Sequence, residues 1–269
     1  MEETLVGRQA GAPDLSHGPG PRGKTGIDRD RVSAWWLPLT AIGADDWPLL
    51  DALLIPEERE RAARFHFERD RQVYVAAHAL ARGLLCHHTG RPAQDWRFSV
   101  GEHGKPEVIC PPGLPRLRLN LSHTRGMAVA AVTVDNDVGV DVEWLERTVD
   151  ADLMAERVFA AKERLVLAAV PAAAKAEIFL SFWTLKEAYV KAIGKGLSQP
   201  LAAFSFDLET LGIHFDDATA DDPAQWRFER HQPGPEHLIA LAVRHSEPAR
   251  LEIQTGPAPL AYLRQLASI

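Results

Sequence analysis

The hydrophobic period of this chain changes from helical to strand-like, twice in succession, and that alternation restricts the fold more than any other feature. From Asp70 to Thr89 the apolar residues Val73, Ala77, Leu80 and Leu84 share one helical face, with Tyr74, Ala81 and Leu85 beside it and Gly90 as a stop. The stretches WRFSV, RLRLNLS, MAVAAVTV and VGVDVEW then read as short strands, separated by GEHGKP, HTRG and DND turns. Helices are expected again at about 151–168 and 172–193, followed by the strands FSFDL, WRFERH and HLIALAVRH. Ahead of the first long helix, VSAWWLPL reads as a strand and DDWPLLDALL as a capped helix with Pro48 in its first turn. Pro56 then starts the helical PEERERAARF. Helices then strands, occurring twice, predict two α+β halves of like construction, and a cleft between them is a natural ligand site.

Three segments follow. Residues 1–30, rich in Gly, Pro and charge, are expected to be a disordered tail; 31–137 form an N-terminal half and 138–269 a C-terminal half. No apolar run approaches the roughly 18 residues a membrane helix needs, and the N-terminus lacks the apolar core of a secretory signal, so a cytoplasmic protein is expected. Cys86 and Cys110 form no CxxC pair, which argues against a disulfide framework or a zinc ribbon. The run Cys86-His87-His88 looks metal-like, but consecutive helical residues point in different directions. The net charge of −7 argues against a nucleic-acid partner while leaving room for a local basic pocket.

Within this frame a few residues have chemical potential. On a strand, Asp141 and Glu143 share a face and Val138, Val140 and Val142 the other. Two adjacent carboxylates invite a hard cation such as Mg²⁺, or they are simply the wet face of an antiparallel strand. In LNLSHT, Leu119 and Leu121 point inward, Asn120 and Ser122 face the other way, and His123 ends the strand, where it can hold a phosphate. There is no GxSxG elbow to support a serine hydrolase. Lys105 sits on a tight turn before Pro106. In FWTLKEAYVKAIGKGLS, Phe182, Leu185, Ala188, Tyr189 and Ala192 form an apolar stripe. Glu187 and Lys191 sit one turn apart, the commonest exposed salt-bridge spacing, and Lys186 and Lys195 are either phosphate contacts or plain solvated lysines.

GKP, LNLSHT, VGVDVE and FWTLKEAYVKAIGKGL, in that order, resemble the signature of the 4′-phosphopantetheinyl transferases, in their longer, two-halved form. The likeness runs from about residue 50 to 210. It implies an α+β fold of two similar halves related by pseudo-twofold symmetry, each a small antiparallel sheet packed on helices, with the active site at their interface. It implies transfer of 4′-phosphopantetheine from coenzyme A to a serine of carrier proteins of polyketide, nonribosomal peptide or fatty acid synthesis, releasing adenosine 3′,5′-bisphosphate. It further implies Mg²⁺ held by Asp141, Glu143 and Glu187, with Glu187 alternatively the base or its orienting group, and Lys191 on the pyrophosphate. Ser122, His123, Lys105 and Arg82 would contact coenzyme A, with Lys186 as a second cation. A monomer containing both halves of one site is expected, with no membrane or nucleic-acid partner. Glu58 stands where some relatives carry lysine, Arg61 replaces a second lysine, and His78 stands where arginine is frequent. An inactive coenzyme-A- or carrier-binding module is the alternative. A different Mg²⁺-dependent nucleotidyl or phosphoryl transferase is another, but no GxxxxGK[ST] loop or kinase motif supports it.

Overall fold

The computed structural model describes residues 28–101, 105–216 and 219–268. The expected tail lies outside them up to residue 27, as do residues 102–104 of the GEHGKP turn. The first half opens with β1 (Arg31–Pro38) and runs through α1 (Asp46–Ala52), α2 (Pro56–Ala63) and the long α3 (Glu68–Thr89). A ribbon of β2 (Arg97–Val100) and β3 (Pro106–Ile109) leads to the hairpin of β4 (Leu117–Thr124) and β5 (Met127–Val134). The second half repeats that order: β6 (Val138–Trp144), α4 (Ala151–Val158), α5 (Ala161–Ala169) and the long α6 (Lys175–Ile193). A ribbon of β7 (Phe204–Phe206) and β8 (Ile213–Phe215) then precedes a hairpin of β9 (Trp226–Gly234) and β10 (His237–Arg244). Both long helices end alike, on Gly90 and Gly194 with φ of 67° and 70°, a left-handed cap that a side chain would strain.

The periodicity explains the packing. β1, β5 and β4 pair antiparallel, as do β6, β10 and β9, and the two sheets face each other. Val129 and Ala131 of β5 meet Val140, Val142 and Leu241 of the second sheet. The other faces carry the helices: Ala128, Ala130 and Val132 pack with α3, and Ala240 and Ala242 with α6. β5 and β10 are therefore buried on both sides, which is why MAVAAVTV and HLIALAV contain so little polar character.

Two local expectations need correction. The helix expected at 151–168 is broken at Phe159, which is extended, because Glu163 turns back to accept the backbone N–H of Ala160 and starts α5 afresh. The start of α1 has no side-chain cap from Asp45; instead Asp46 accepts from the Gly43 N–H at 2.8 Å and pairs with Arg264 at 2.6 Å.

The end of the chain returns to the first half. β11 (Glu252–Pro257) pairs parallel with β1, the one non-antiparallel pairing among the described strands, and α7 (Leu260–Ala267) lies against α1 and α3. A Cβ built on Gly83 of α3 would stand 2.1 Å from Leu263 Cδ2, so the missing side chain is what admits this fully buried leucine. No described helix is long and apolar enough to cross a membrane.

Candidate active site

The site is set by how closely α6 lies over β6. A Cβ on Gly139 would stand 2.0 Å from the Ala188 carbonyl oxygen and 2.4 Å from the Ala192 nitrogen, so glycine alone permits this approach. Asp141 and Glu143 lie on the same face of β6 as Gly139 and point at α6 rather than at solvent. They are only 5% and 8% exposed, which rules out the wet-face reading of the strand.

Three elements meet there. Lys191 of α6 places its Nζ 2.6 Å from Asp141 Oδ1 and donates to Ser122 Oγ of β4 at 2.8 Å; Ser122 Oγ in turn donates to Asp141 Oδ1 at 2.9 Å. Between the same two strands, Val140 N–H donates to Asn120 Oδ1 at 2.8 Å, so β4 of the first half is stitched to β6 of the second beside the acidic group. Glu143 accepts from Trp183 Nε1 at 2.9 Å and from Arg147 at 3.2 Å on each oxygen. Burial, and next the charge of Asp141, raise the Glu143 carboxyl above the usual carboxylate range, with Arg147 and Trp183 opposing. Glu187 is raised by burial and then by Asp141, with Lys191 partly offsetting.

This arrangement suits a hard cation. The three carboxylates repel one another, and Asp141 Oδ2 is buried with no hydrogen-bond partner among the described residues, a costly state for a carboxylate oxygen unless something positive meets it. Among the described residues no group of three His, Cys, Asp or Glu side chains is drawn into a finished ligand set, and Asp141 is held by Lys191 instead.

His123 is exposed at the end of β4 and borders a cavity of about 690 Å³ together with Arg69, Val73, Arg125 and Trp144. Although the residue is exposed as a whole, desolvation of its ring first, then the charges of Lys191 and His78, lower the imidazole pKa from its ordinary value.

Three other expected contacts are corrected. Lys105 has all its ammonium donors committed, to the carbonyls of Val138, Lys191 and Ala192 at 3.2, 2.6 and 3.0 Å. It clamps the last turn of α6 to the start of β6, and burial pulls it down to about 8. Arg82 and Lys186 are each 0% exposed and face away from the acidic group into the cores of their own halves. Arg82 Nε donates to Glu58 at 2.7 Å, its Nη1 to the carbonyls of Ala93 and Trp96, and its guanidinium lies over Phe98. Lys186 Nζ pairs with Glu163 at 2.9 Å, donates to the carbonyls of Leu201 and Phe204, and lies over Phe204. The two are one device built twice. Each cation precedes its helix-ending glycine by the same interval, and each glutamate is the third residue of a short helix, accepting the N–H that precedes it. Burial alone would raise Glu58, but hydrogen bonds from His78 and Arg82 bring it to about 2, so it serves as the ionised partner of Arg82. Arg61 is exposed over the Tyr74 ring and Lys195 is exposed beyond α6.

Trp183 and Arg147 were not among the expected site residues. Trp183 lies one turn before Glu187, a spacing that could have signalled it; Arg147 follows the strand in a loop and gave no periodic sign.

Residues 137–242 match the family model described as the 4′-phosphopantetheinyl transferase superfamily, and residues 36–135 match the model described as 4′-phosphopantetheinyl transferase, N-terminal. Among curated proteins, the chain is 33% identical over 170 residues to 4′-phosphopantetheinyl transferase HetI of Nostoc sp., covering 63% of this chain and 71% of that one. It is 32% identical over 162 residues to 4′-phosphopantetheinyl transferase Sfp of Bacillus subtilis, covering 60% and 69%. With the L-aminoadipate-semialdehyde dehydrogenase-phosphopantetheinyl transferase of Mus musculus the identity is 27% over 232 residues, covering 80% and 74%.

Proposed function

The chain belongs to the 4′-phosphopantetheinyl transferase superfamily, and from that premise we propose that it moves 4′-phosphopantetheine from coenzyme A to a serine of apo carrier proteins of polyketide, nonribosomal peptide or fatty acid synthesis. Adenosine 3′,5′-bisphosphate is the other product. The observation that carries the assignment is the junction of Ser122, Asp141 and Lys191, where a strand of one half meets a strand and a helix of the other.

Phosphoryl transfer of this kind asks for positioning and for neutralised charge more than for covalent chemistry. The carrier serine hydroxyl attacks the β-phosphorus, and the bond to the bridging oxygen of the leaving bisphosphate breaks. Asp141, Glu143 and Glu187 are the residues that would hold Mg²⁺, the bare Asp141 Oδ2 being the clearest opening for it. When bound, the ion supplies Lewis-acid neutralisation of the pyrophosphate oxygens. Lys191 moves its ammonium from Asp141 to the pyrophosphate and stabilises the departing charge. Trp183 and Arg147 fix the Glu143 carboxylate in place. Glu187, with its raised carboxyl, is either the third ligand or the acceptor of the serine proton. His123 takes a proton as the phosphate side of coenzyme A arrives, and Arg69 and Arg125 line the cavity beside it.

Two similar halves completing one site favour a monomer as the working unit, and the unpaired Cys86 and Cys110 fit a cytoplasmic setting. The test is Asp141→Ala. Transfer is abolished while calorimetry still detects coenzyme A binding; a variant that transfers at the normal rate overturns the assignment of the acidic group.

A further inference from the structure

We infer that His237 is a positioning residue that fixes the β4–β5 hairpin, and with it His123 and Arg125, for binding coenzyme A; the inference rests on the transferase reading above. His237 opens β10 of the second half and is only 8% exposed. Its Nε2 lies 2.7 Å from the Arg125 carbonyl oxygen at the tip of the first half's hairpin. A carbonyl only accepts, so the ring nitrogen carries the proton and donates.

Strand alternation aims the ring there, since His237 shares its face of β10 with Ile239 and Leu241, which pack against the first half's sheet. On the β6 side the register is regular, with His237 opposite Trp144. On the β9 side it slips: His237 opposes Gly234 but Ile239 opposes His231, so β9 holds an extra residue. The bulge bends β9 and leaves the histidine in its regular place at the start of β10, where its ring crosses the boundary between halves. The hairpin tip is shaped to receive it. Gly126 has φ of 78°, and its carbonyl accepts from the Leu39 N–H at 2.9 Å. The tip is thus held on one side by its own half and on the other by His237. Arg125 then lays its guanidinium 4.4 Å from the centroid of the Trp144 ring, next to Glu143 in the chain. His123, Arg125, Gly126 and Trp144 all border the 690 Å³ cavity, and His237 lies behind that wall. Its hydrogen bond ties the hairpin tip to the sheet carrying Asp141 and Glu143, beyond the Ser122–Asp141 and Asn120–Val140 bonds further down β4.

The test uses the full chain and coenzyme A itself. His237→Ala is expected to raise the dissociation constant and KM for coenzyme A about tenfold, the worth of one buried hydrogen bond, while kcat stays within about twofold. Amides of residues 123–126 exchange faster in this variant. His237→Gln keeps an N–H donor at similar reach and restores the affinity to within about threefold of the unaltered protein. A purely structural residue would lower thermal stability and leave the coenzyme A affinity of the folded protein unmoved, which overturns the inference. So does a folded Gln variant that binds no better than the Ala variant. Failure of the transferase reading looks different: the unaltered protein itself then binds no coenzyme A, and the positioning role falls with it.

Discussion

Replacing Lys186 by methionine separates a core cation from a phosphate contact. The ammonium has no exposure, lies 2.9 Å from the equally buried Glu163, and donates to the carbonyls of Leu201 and Phe204. Methionine fills most of the same volume, so packing loss is small and the effect is electrostatic. Removing one partner of a buried pair leaves the other charge uncompensated and costs about 3–5 kcal/mol. At about 2–4 °C per kcal/mol for a chain of this size, the melting temperature falls by roughly 6–20 °C. Glu163→Gln placed on top of Lys186→Met removes the stranded charge and recovers part of the loss, so a double-mutant cycle in urea gives a coupling of about 1–3 kcal/mol. Assayed at a temperature where it is folded, the Lys186 variant keeps its KM for coenzyme A. A variant of normal stability whose KM rises tenfold would refute the reasoning and return Lys186 to the phosphate.

Other perturbations probe separate links. Gly139→Ala forces a methyl group to within 2.0 Å of the Ala188 carbonyl, so α6 must lift from β6; a loss of about 2 kcal/mol or more and a hundredfold fall in transfer are expected, and normal activity would contradict the close-approach account. The Glu58 carboxyl lies at about 2 in the fold against 4.5 for the free group, so it contributes about 3 kcal/mol above pH 4.5, lost as pH falls through about 2. Unfolding free energy measured from pH 6 to pH 2 should therefore decline in the unaltered protein and much less steeply in Glu58→Gln; equal slopes would refute it.

Much of this was legible in the sequence because periodicity is a local property. The strands at MAVAAVTV and VGVDVEW, the helix ending at Gly90 and the shared face of Asn120 and Ser122 all follow from residue spacing. Spacing does not say what faces a residue. Lys186 and Lys191 belong to one helix, yet one points into the core of its half and the other at Asp141, and only tertiary packing distinguishes them. Arg82 was misplaced for the same reason: its partner Glu58 is on a different helix. Lys105, expected to contact coenzyme A, has donors that meet carbonyls remote in sequence. β11 and α7 were missed because a short strand pairing in parallel with the start of the chain leaves little local signal, and Gly83 explains itself only once Leu263 lies against it.

The central claim is group transfer, and its most direct test is the mass of an acceptor. The protein is incubated with coenzyme A, Mg²⁺ and an apo carrier protein, and the carrier is weighed by intact-mass spectrometry. The account predicts a gain of one phosphopantetheine group at the carrier's serine, absent when that serine is alanine; no gain across several carriers from different biosynthetic systems would contradict it.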